Sequence, residues 1–147
     1  MNKKYSIRQI TVEDYTYINK WYKQIGIPQP KSSILPNNGL DGFVIEKNKR
    51  LLAAVYLYLT NSKMGYFDFL ISDPNYKGKD RFEVIIMLFQ HCTKIFEDLG
   101  LECVFMTTAE EGVIKRMKEL GLREDATCEH EKRVIVYAYK NKNKAFS

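Results

Sequence analysis

Apolar residues recur every three to four positions across residues 12–25, and this spacing predicts an amphipathic helix with one buried face. Thr11 precedes this segment and Asp14 lies at the third helical position, so the two residues form a capping-box pattern at the helix start. Gly26 is expected to end the helix, because glycine readily adopts the left-handed conformation found after helix C-termini. A weak alternation over residues 5–10 predicts a strand before this helix.

Residues 27–41 contain three prolines, and we expect a long surface connection there that includes one helical turn. Connections of this length often carry function. Three β-rich segments follow, separated by turns at 47–49 and 61–63, and they predict an antiparallel meander. Its strands are expected over 42–46, 50–60 and 65–71.

The third strand of this meander has an acid among aromatic residues. Regular alternation along a strand places every second side chain on the same face of the sheet. One face is therefore expected to carry Phe67, Phe69 and Ile71. The other is expected to carry Tyr66, Asp68 and Leu70.

The second half of the chain alternates helices and strands. Apolar spacing over 82–99 predicts a helix that ends at Gly100, and residues 101–107 have the composition of a buried strand. A strand, a helix and a strand in this order predict a parallel crossover. The remaining predicted elements are a helix over 108–121 and a closing hairpin with strands over 122–127 and 132–139.

The composition is that of a folded domain. The chain has 147 residues, of which 45% are hydrophobic and 28% charged, so we expect one domain over 1–140 and a flexible tail over 141–147. The longest apolar run, over 51–59, is well short of the roughly 20 residues that a membrane-spanning helix needs. The first residues lack the apolar region of a secretion signal. We therefore expect no membrane association.

Charge and cysteine content narrow the classes of partner. The net charge of +5 suits an anionic ligand, but the basic residues are dispersed and no nucleic-acid recognition motif is present, so we do not expect a nucleic-acid partner. Cys92, Cys103 and Cys128 are an odd number without metal-ligand spacing, which indicates reduced thiols and a cytoplasmic protein. His91 and His130 are too few for a histidine-based metal site.

Several segments carry a resemblance to a known family: a strand ending in Asp-Pro over 66–74, the loop 75–79, the helix from Arg81, and Lys-Glu-Leu-Gly-Leu over 118–122. In this order, and in a chain of this length, they resemble the GNAT family of acyl-CoA-dependent N-acyltransferases, over about residues 5–139. The resemblance implies an α/β (α+β) fold with a mixed sheet of about six or seven strands and helices on both faces. Segments 34–36 and 56–60 are also similar to small phage-borne GNAT-like proteins.

The chemistry that this resemblance implies is transfer of an acyl group from a CoA thioester to an amine. Two parallel strands, here 65–72 and 101–107, splay apart and bind the pantetheine arm of acetyl-CoA or another acyl-CoA. Backbone N–H groups near 70–72 polarise the thioester oxygen, and the helix start near 80–83 binds the pyrophosphate. The residues assigned to the cofactor in this way are Leu70, Ile71, Ser72, Lys77, Gly78, Lys79, Asp80, Arg81, Phe82, Thr107 and Thr108.

The phosphate-binding segment departs from the family's pattern, Gln/Arg-x-x-Gly-x-Gly/Ala, which aligns here with residues 77–82. Asp80 and Phe82 replace two small residues, and side chains there obstruct close approach of the backbone to phosphate. A carboxylate also competes with a diphosphate for the helix amides. The alternative for Asp80 is an ordinary side-chain helix cap, and a cap is also the alternative for Thr108. Against this, three cations crowd the same loop and favour an anion site.

Asp68 is the candidate catalytic residue. In the resembled family, a carboxylate on this strand often acts as the general base, directly or through water. The alternative is that Asp68 pairs with a neighbouring Lys or Tyr within the sheet. Met117 takes the position at which the family usually has a proton-donating Tyr, so the thiolate would need another donor or none.

Aromatic residues could line a pocket for the acceptor between the first helix and the sheet. The alternative is ordinary packing, since the chain has ten Tyr and eight Phe. The candidate substrate residues are Trp21, Tyr22, Tyr56, Tyr58 and Tyr66.

Three functions are compatible with these observations. The first is an N-acyltransferase, in particular an acetyltransferase, that acts on an amine of a small molecule or protein. The second is a catalytically silent GNAT-fold binding protein, phage-encoded and engaging a host partner, which the altered phosphate loop and the absent helix Tyr motivate. The third, nucleic-acid binding, depends on the positive charge alone. A homodimer is compatible with the first two.

Overall fold

The structure, a computed structural model, describes residues 4–108, 111–119, 123–128 and 133–139, and it describes side chains within 4–106 and 111–119. The tail expected over 141–147 lies outside these ranges. None of the described helices has the length and apolar character that crossing a membrane requires. The elements are β1 (Tyr5–Gln9), α1 (Val12–Ile25), β2 (Gly42–Lys47), β3 (Arg50–Leu59), β4 (Met64–Ser72), α2 (Arg81–Asp98), β5 (Cys103–Thr108), α3 (Glu111–Glu119), β6 (Arg123–Cys128) and β7 (Arg133–Tyr139).

The described strands form one mixed sheet in the order β1-β2-β3-β4-β5-β7-β6. Strands β4 and β5 are parallel, and every other neighbouring pair is antiparallel. Helix α2 connects β4 with β5, so the predicted parallel crossover is confirmed. The predicted closing hairpin is present too, and its second strand, β7, lies next to β5. The hydrophobic pattern leaves this order of the last two strands open.

Apolar clusters cover both faces of the sheet. The adjacent β3 residues Ala53 and Ala54 belong to different clusters, as the alternation of side chains along a strand requires. Helices α2 and α3 pack on the face of Ala53, and α1 packs on the face of Ala54. The expected fold class, a mixed sheet with helices on both faces, is therefore confirmed.

The predicted capping box of α1 is confirmed. The Thr11 hydroxyl accepts a hydrogen bond from the Asp14 backbone N–H at 3.2 Å, and the Asp14 carboxylate accepts one from the Thr11 N–H at 2.8 Å. Gly26, with φ of 89°, ends the helix in the left-handed conformation. The same carboxylate pairs with Arg8 at 2.6 Å. Burial would raise the pKa of Asp14, but the hydrogen bonds from Arg8 and Thr11 outweigh it and lower this pKa.

The connection between α1 and β2 has two short 3₁₀ turns, Ser32–Ile34 and Pro36–Gly39, where one helical turn was expected. Two tyrosine hydroxyls attach it to the rest of the fold. Tyr15 on α1 donates to the Pro30 carbonyl at 2.8 Å, and Tyr58 on β3 donates to the Ile34 carbonyl at 3.1 Å. The connection therefore lies over the α1 face of the sheet.

Strand β4 contains a β-bulge, which makes the predicted alternation wrong beyond Asp68. The pairing with β3 changes register between Ala54 and Tyr56, and Phe69 has a positive φ of 54°. Phe67 consequently packs on the α2 face, whereas Phe69 and Ile71 pack on the α1 face. Leu70 packs on the α2 face, opposite to Asp68. The extra residue of the bulge reverses the faces, and strict alternation cannot anticipate it.

Candidate functional site

The parallel pairing of β4 with β5 stops partway along both strands. Its last Cα pair is Phe67 with Met106, although β4 continues to Ser72 and β5 to Thr108. Within the described residues, the part of β4 after Phe67 therefore has no ladder partner on the β5 side. This opening agrees with the splay that the resemblance implies for these two strands.

The bulge of β4 lies at this opening. Phe69 and Leu70 have no Cα partner on β3, and none on β5, in the described ladders. The Phe69 N–H donates to the Asp68 carboxylate at 2.7 Å. A positive φ at a phenylalanine is a strained conformation that persists only where the surroundings impose it. The strain lies next to the backbone N–H groups near 70–72, which the resemblance expects to polarise a thioester oxygen.

Asp68 lies at the edge of the opening, on the α1 face. It is the direct cross-strand partner of Tyr56, and its carboxylate accepts a hydrogen bond from the Tyr66 hydroxyl at 2.5 Å. The pairing with a neighbouring Tyr, which was the alternative to a catalytic role, is therefore what the structure shows. This pairing holds the carboxylate in one orientation, and it leaves the role as a base untested.

Aromatic rings surround this carboxylate. The rings of Tyr58 and Tyr66 lie 5.6 Å apart between centroids, and those of Tyr58 and Phe69 lie 6.5 Å apart. Phe105 on β5 stacks on Tyr66 at 4.5 Å. Sequence reasoning did not single out Phe105, because only the pairing of β5 with β4 brings it to this position.

Two further predicted residues, Tyr22 and Tyr56, are buried between α1 and the sheet and are 6% and 4% exposed. Burial raises the pKa of Tyr22 to about 12, and the negative charge of Asp68 adds to this rise. Among the described residues, neither hydroxyl has a hydrogen-bond partner, although buried hydroxyls are normally paired. Trp21 is core: it packs edge-on against Tyr17 at 6.0 Å, and no described contact joins it to Asp68.

The loop between β4 and α2 is attached at both of its sides. Asp73 is buried and pairs with Arg50 at 2.8 Å, and its second carboxylate oxygen accepts the Asn75 N–H at 2.9 Å. The Asn75 side chain exchanges hydrogen bonds with Gln24 on α1, at 2.8 and 2.9 Å. These contacts set the direction in which the chain enters the start of α2.

Asp80 is at the N-cap position of α2, but its side chain makes no capping hydrogen bond, so the ordinary-cap interpretation is wrong. Its carboxylate instead accepts hydrogen bonds from the hydroxyls of Tyr5 and Tyr76 and from Lys47, whose Nζ lies at 2.9 Å. The hydrogen bonds from Tyr5, Tyr76 and Lys47 together lower the pKa of Asp80 well below its usual value. We call these four residues the Asp80 cluster. No local sequence signal predicts it, because Tyr5 and Lys47 are distant along the chain.

The start of α2 offers backbone donors. Arg81 donates its N–H to the Gly78 carbonyl at 3.3 Å, and the next two N–H groups, those of Phe82 and Glu83, have no acceptor within the described residues. A Cβ at Gly78 would lie 2.3 Å from the Tyr76 hydroxyl oxygen, so a larger residue there would displace the Tyr76 side chain from Asp80. The unpaired N–H groups and the positive end of the helix dipole can bind an anion.

Lys77, Lys79 and Arg81 are exposed around this helix start. None of the three forms a salt bridge among the described side chains; the cations that pair with Asp80 and Glu83 are Lys47 and Arg116. The loop cations therefore remain available to an anionic ligand.

Phe82, the second residue that replaces a small one, packs sideways against α3. A Cβ added to Gly112 would lie 2.5 Å from its ring, so the ring lies directly on the backbone of that glycine. Met117 is buried in the same core. The side chains of Thr107 and Thr108 lie outside the described side chains, so their proposed contacts stay predictions.

Comparison with solved structures identifies the fold. The ribosomal-protein-S18-alanine N-acetyltransferase from Escherichia coli matches with a TM-score of 0.71 and 14% identity, over 95% of this chain and 97% of that one. Spermidine N-acetyltransferase from Vibrio cholerae matches with a TM-score of 0.71 and 19% identity, over 97% of both chains. The chain has the GNAT fold.

A third match is Arabidopsis thaliana Naa50 in complex with the bisubstrate analogue CoA-Ac-MVNAL, with a TM-score of 0.67 and 12% identity, over 92% of this chain and 98% of that one. No protein-family model and no curated protein matches the sequence. At these identities the likeness establishes the GNAT fold alone, because one fold hosts several activities. The activity has to be argued from the site.

Proposed function

We propose that the protein is an N-acyltransferase of the GNAT family, in particular an acetyltransferase, which uses acyl-CoA and acts on an amine of a small molecule or protein. The observation that carries this proposal is the opening between β4 and β5 after Phe67. An unpaired strand edge can bind an extended amide chain through backbone hydrogen bonds, as an added strand would. The pantetheine arm of CoA is such a chain, and Leu70, Ile71 and Ser72 line the edge that would hold it.

The start of α2 fits a diphosphate despite the acid at position 80. Three donors hold the Asp80 carboxylate in the Asp80 cluster, so the carboxylate does not occupy the helix amides. The N–H groups of Phe82 and Glu83 would hold phosphate oxygens, and Lys77, Lys79 and Arg81 would add charge. Phe82 packs on Gly112 of α3 and against the core, and its ring supports the Arg81 guanidinium, which lies 5.4 Å from the ring centroid.

The residues at the opening account for the chemistry. Acyl-CoA, when bound, supplies a thioester whose carbonyl carbon takes a new bond from the amine nitrogen and whose C–S bond breaks to release the thiolate. Asp68 accepts the proton that the acceptor amine must lose, directly or through water. The backbone N–H of Leu70, directly after the strained Phe69, donates a hydrogen bond to the thioester oxygen. Met117 cannot protonate the thiolate, which is stable enough to leave because an ordinary thiol has a pKa near ~8.5.

Acetyl-CoA binding and transfer test this proposal together. We expect acetyl-CoA to raise the melting temperature by mass action, and we expect release of free CoA when an amine is added. Asp68→Asn should lower kcat by roughly 10²- to 10⁴-fold, the usual contribution of a general base, and leave the acetyl-CoA affinity unchanged. Asp98→Asn, which neutralises an exposed carboxylate at the end of α2, is the matched control. Calorimetry that shows no heat with millimolar acetyl-CoA would exclude the transferase.

The same experiment distinguishes the transferase from the second candidate, a catalytically silent binding protein. Met117 favours it, because a buried methionine stands where the resembled family has its proton donor. A silent protein would show no release of CoA with any amine and no effect of Asp68→Asn. A cytoplasmic location is part of either proposal, since Cys92 and Cys103 are buried free thiols.

A further inference from the structure

Asp68 differs from three other acids on and around the sheet, each of which has a cation as partner. Asp14 pairs with Arg8, Asp73 with Arg50 and Asp80 with Lys47. The described salt bridges include none to Asp68, whose hydrogen bonds come from a phenol and a backbone N–H. A half-buried carboxylate without a cation is costly, because its charge has lost part of its hydration without gaining a counter-charge.

The surroundings of this carboxylate are aromatic. Tyr58, Tyr66, Phe69 and Phe105 form a continuous group of rings next to it. The faces of aromatic rings attract ammonium groups, and the attraction increases when water is excluded. A carboxylate and several rings together therefore favour a cationic ligand over a neutral or anionic one.

A buried hydroxyl at the same place also lacks a partner among the residues that the structure describes. Tyr22 is 94% buried on the α1 side of the sheet and lies within electrostatic reach of Asp68. Its hydroxyl has no hydrogen-bond partner among the described residues, and Tyr56 beside it has none either. A buried hydroxyl that is left unpaired costs about 1–3 kcal/mol, so its presence indicates that something absent from the structure pairs with it.

We propose that the acceptor is an aliphatic amine that enters as its cation and carries no carboxylate, and that Asp68, Tyr22 and the rings of Tyr58 and Tyr66 form its binding site. The ammonium N–H groups donate to the Asp68 carboxylate and to the Tyr22 phenol oxygen, and its alkyl chain lies against the rings. A carboxylate on the acceptor is repelled by Asp68. This inference deepens the proposed transfer to an amine and rests on it.

A panel of matched amines tests the proposal. With saturating acetyl-CoA, kcat/KM is measured from release of free CoA for butylamine, putrescine and 4-aminobutyrate, which share a four-carbon chain. We expect butylamine and putrescine to exceed 4-aminobutyrate by about tenfold or more, as expected for like charges brought close together in a partly desolvated site. Equal or better use of 4-aminobutyrate would overturn the proposal.

Tyr22→Phe separates binding of the acceptor from a structural role. Removal of an unpaired hydroxyl should leave the melting temperature unchanged or raise it, whereas loss of its hydrogen bond to the amine should raise KM for butylamine roughly tenfold. The acetyl-CoA affinity should not change. Tyr17→Phe on the same helix is the control for loss of an exposed phenol. An unchanged KM for butylamine would remove Tyr22 from the site and contradict the proposal.

Titration of butylamine without acetyl-CoA, followed by NMR, shows whether the acceptor site or the proposed acyl transfer has failed. Acetyl-CoA binding without amine binding or transfer overturns the acceptor site and leaves the cofactor half of the proposed function standing. Amine binding that Asp68→Asn and Tyr22→Phe each weaken, in a protein that never binds acetyl-CoA, overturns the proposed function and supports the acceptor site.

Discussion

Asp80 shows how one residue can depart from a family's pattern without blocking the site. It stands where the resembled family has a small residue, and a free carboxylate there would compete for the helix amides. The Asp80 cluster holds it in place by hydrogen bonds from Tyr5, Tyr76 and Lys47. Under the proposed function, Tyr5 and Lys47 would therefore act as positioning residues for the proposed phosphate site, although neither lies on the loop before α2.

Tyr5→Phe tests this positioning role. Loss of one charge-assisted hydrogen bond gives the carboxylate more freedom to reach the amides of α2, so we expect the Kd for acetyl-CoA to rise by about three- to tenfold. In an Asp80→Asn background no carboxylate is present to compete for the amides of α2, so Tyr5→Phe should have little effect on this Kd. Calorimetry on the four proteins measures the coupling. An equal loss in both backgrounds would show that Tyr5 acts independently of Asp80.

At the scale of elements, the bulge in β4 decides which side chains meet at the opening. It directs Ile71 to the α1 face and Leu70 to the α2 face, opposite to the assignment by alternation. The periodicity of two is a property of regular strands, and one inserted residue reverses it. Helices, whose pattern depends on several turns, were predicted more accurately: the capping box of α1 and its end at Gly26 are as expected.

The contact between Gly112 on α3 and Phe82 on α2 predicts how a substitution of the glycine changes stability. Ala in a helix is ordinarily more stable than Gly by roughly 1 kcal/mol. Here the new Cβ would lie 2.5 Å from the ring of Phe82, so Gly112→Ala should destabilise the protein, by about 1 kcal/mol or more. In a Phe82→Ala background the same change should be stabilising. Urea unfolding measures both, and the same sign in the two backgrounds would rule out this contact.

At the scale of the whole molecule, the structure shows where the excess positive charge lies. Much of the positive charge near the sheet is neutralised, since Arg8, Lys47 and Arg50 pair with acids. Lys77 and Lys79, which form no salt bridge with the described side chains, lie on one loop beside a helix N-terminus. A protein that is only mildly basic can therefore present a strongly positive site to an anion.

Lys77→Glu combined with Lys79→Glu should lower the affinity for acetyl-CoA by about tenfold or more, because two attractive charges become repulsive. The loss should decrease as salt is added, since the charges are exposed. Lys31→Glu with Lys63→Glu, which changes the net charge equally at exposed positions away from the loop, is the control. Equal losses in the two double variants, measured by calorimetry, would assign the effect to net charge.

Sequence alone determined the helices and strands of this protein and their order along the chain, with ends within a few residues, because periodicity, capping and turn chemistry act over a few neighbouring residues. It also brought Asp68, the tyrosines and the cationic loop into consideration. Only the tertiary structure decided the bulge in β4, the partners of Asp80, the stacking of Phe105 on Tyr66 and the burial of Tyr22 without a described hydrogen-bond partner for its hydroxyl. These features depend on which distant segments return to lie side by side, and local preferences do not encode that choice.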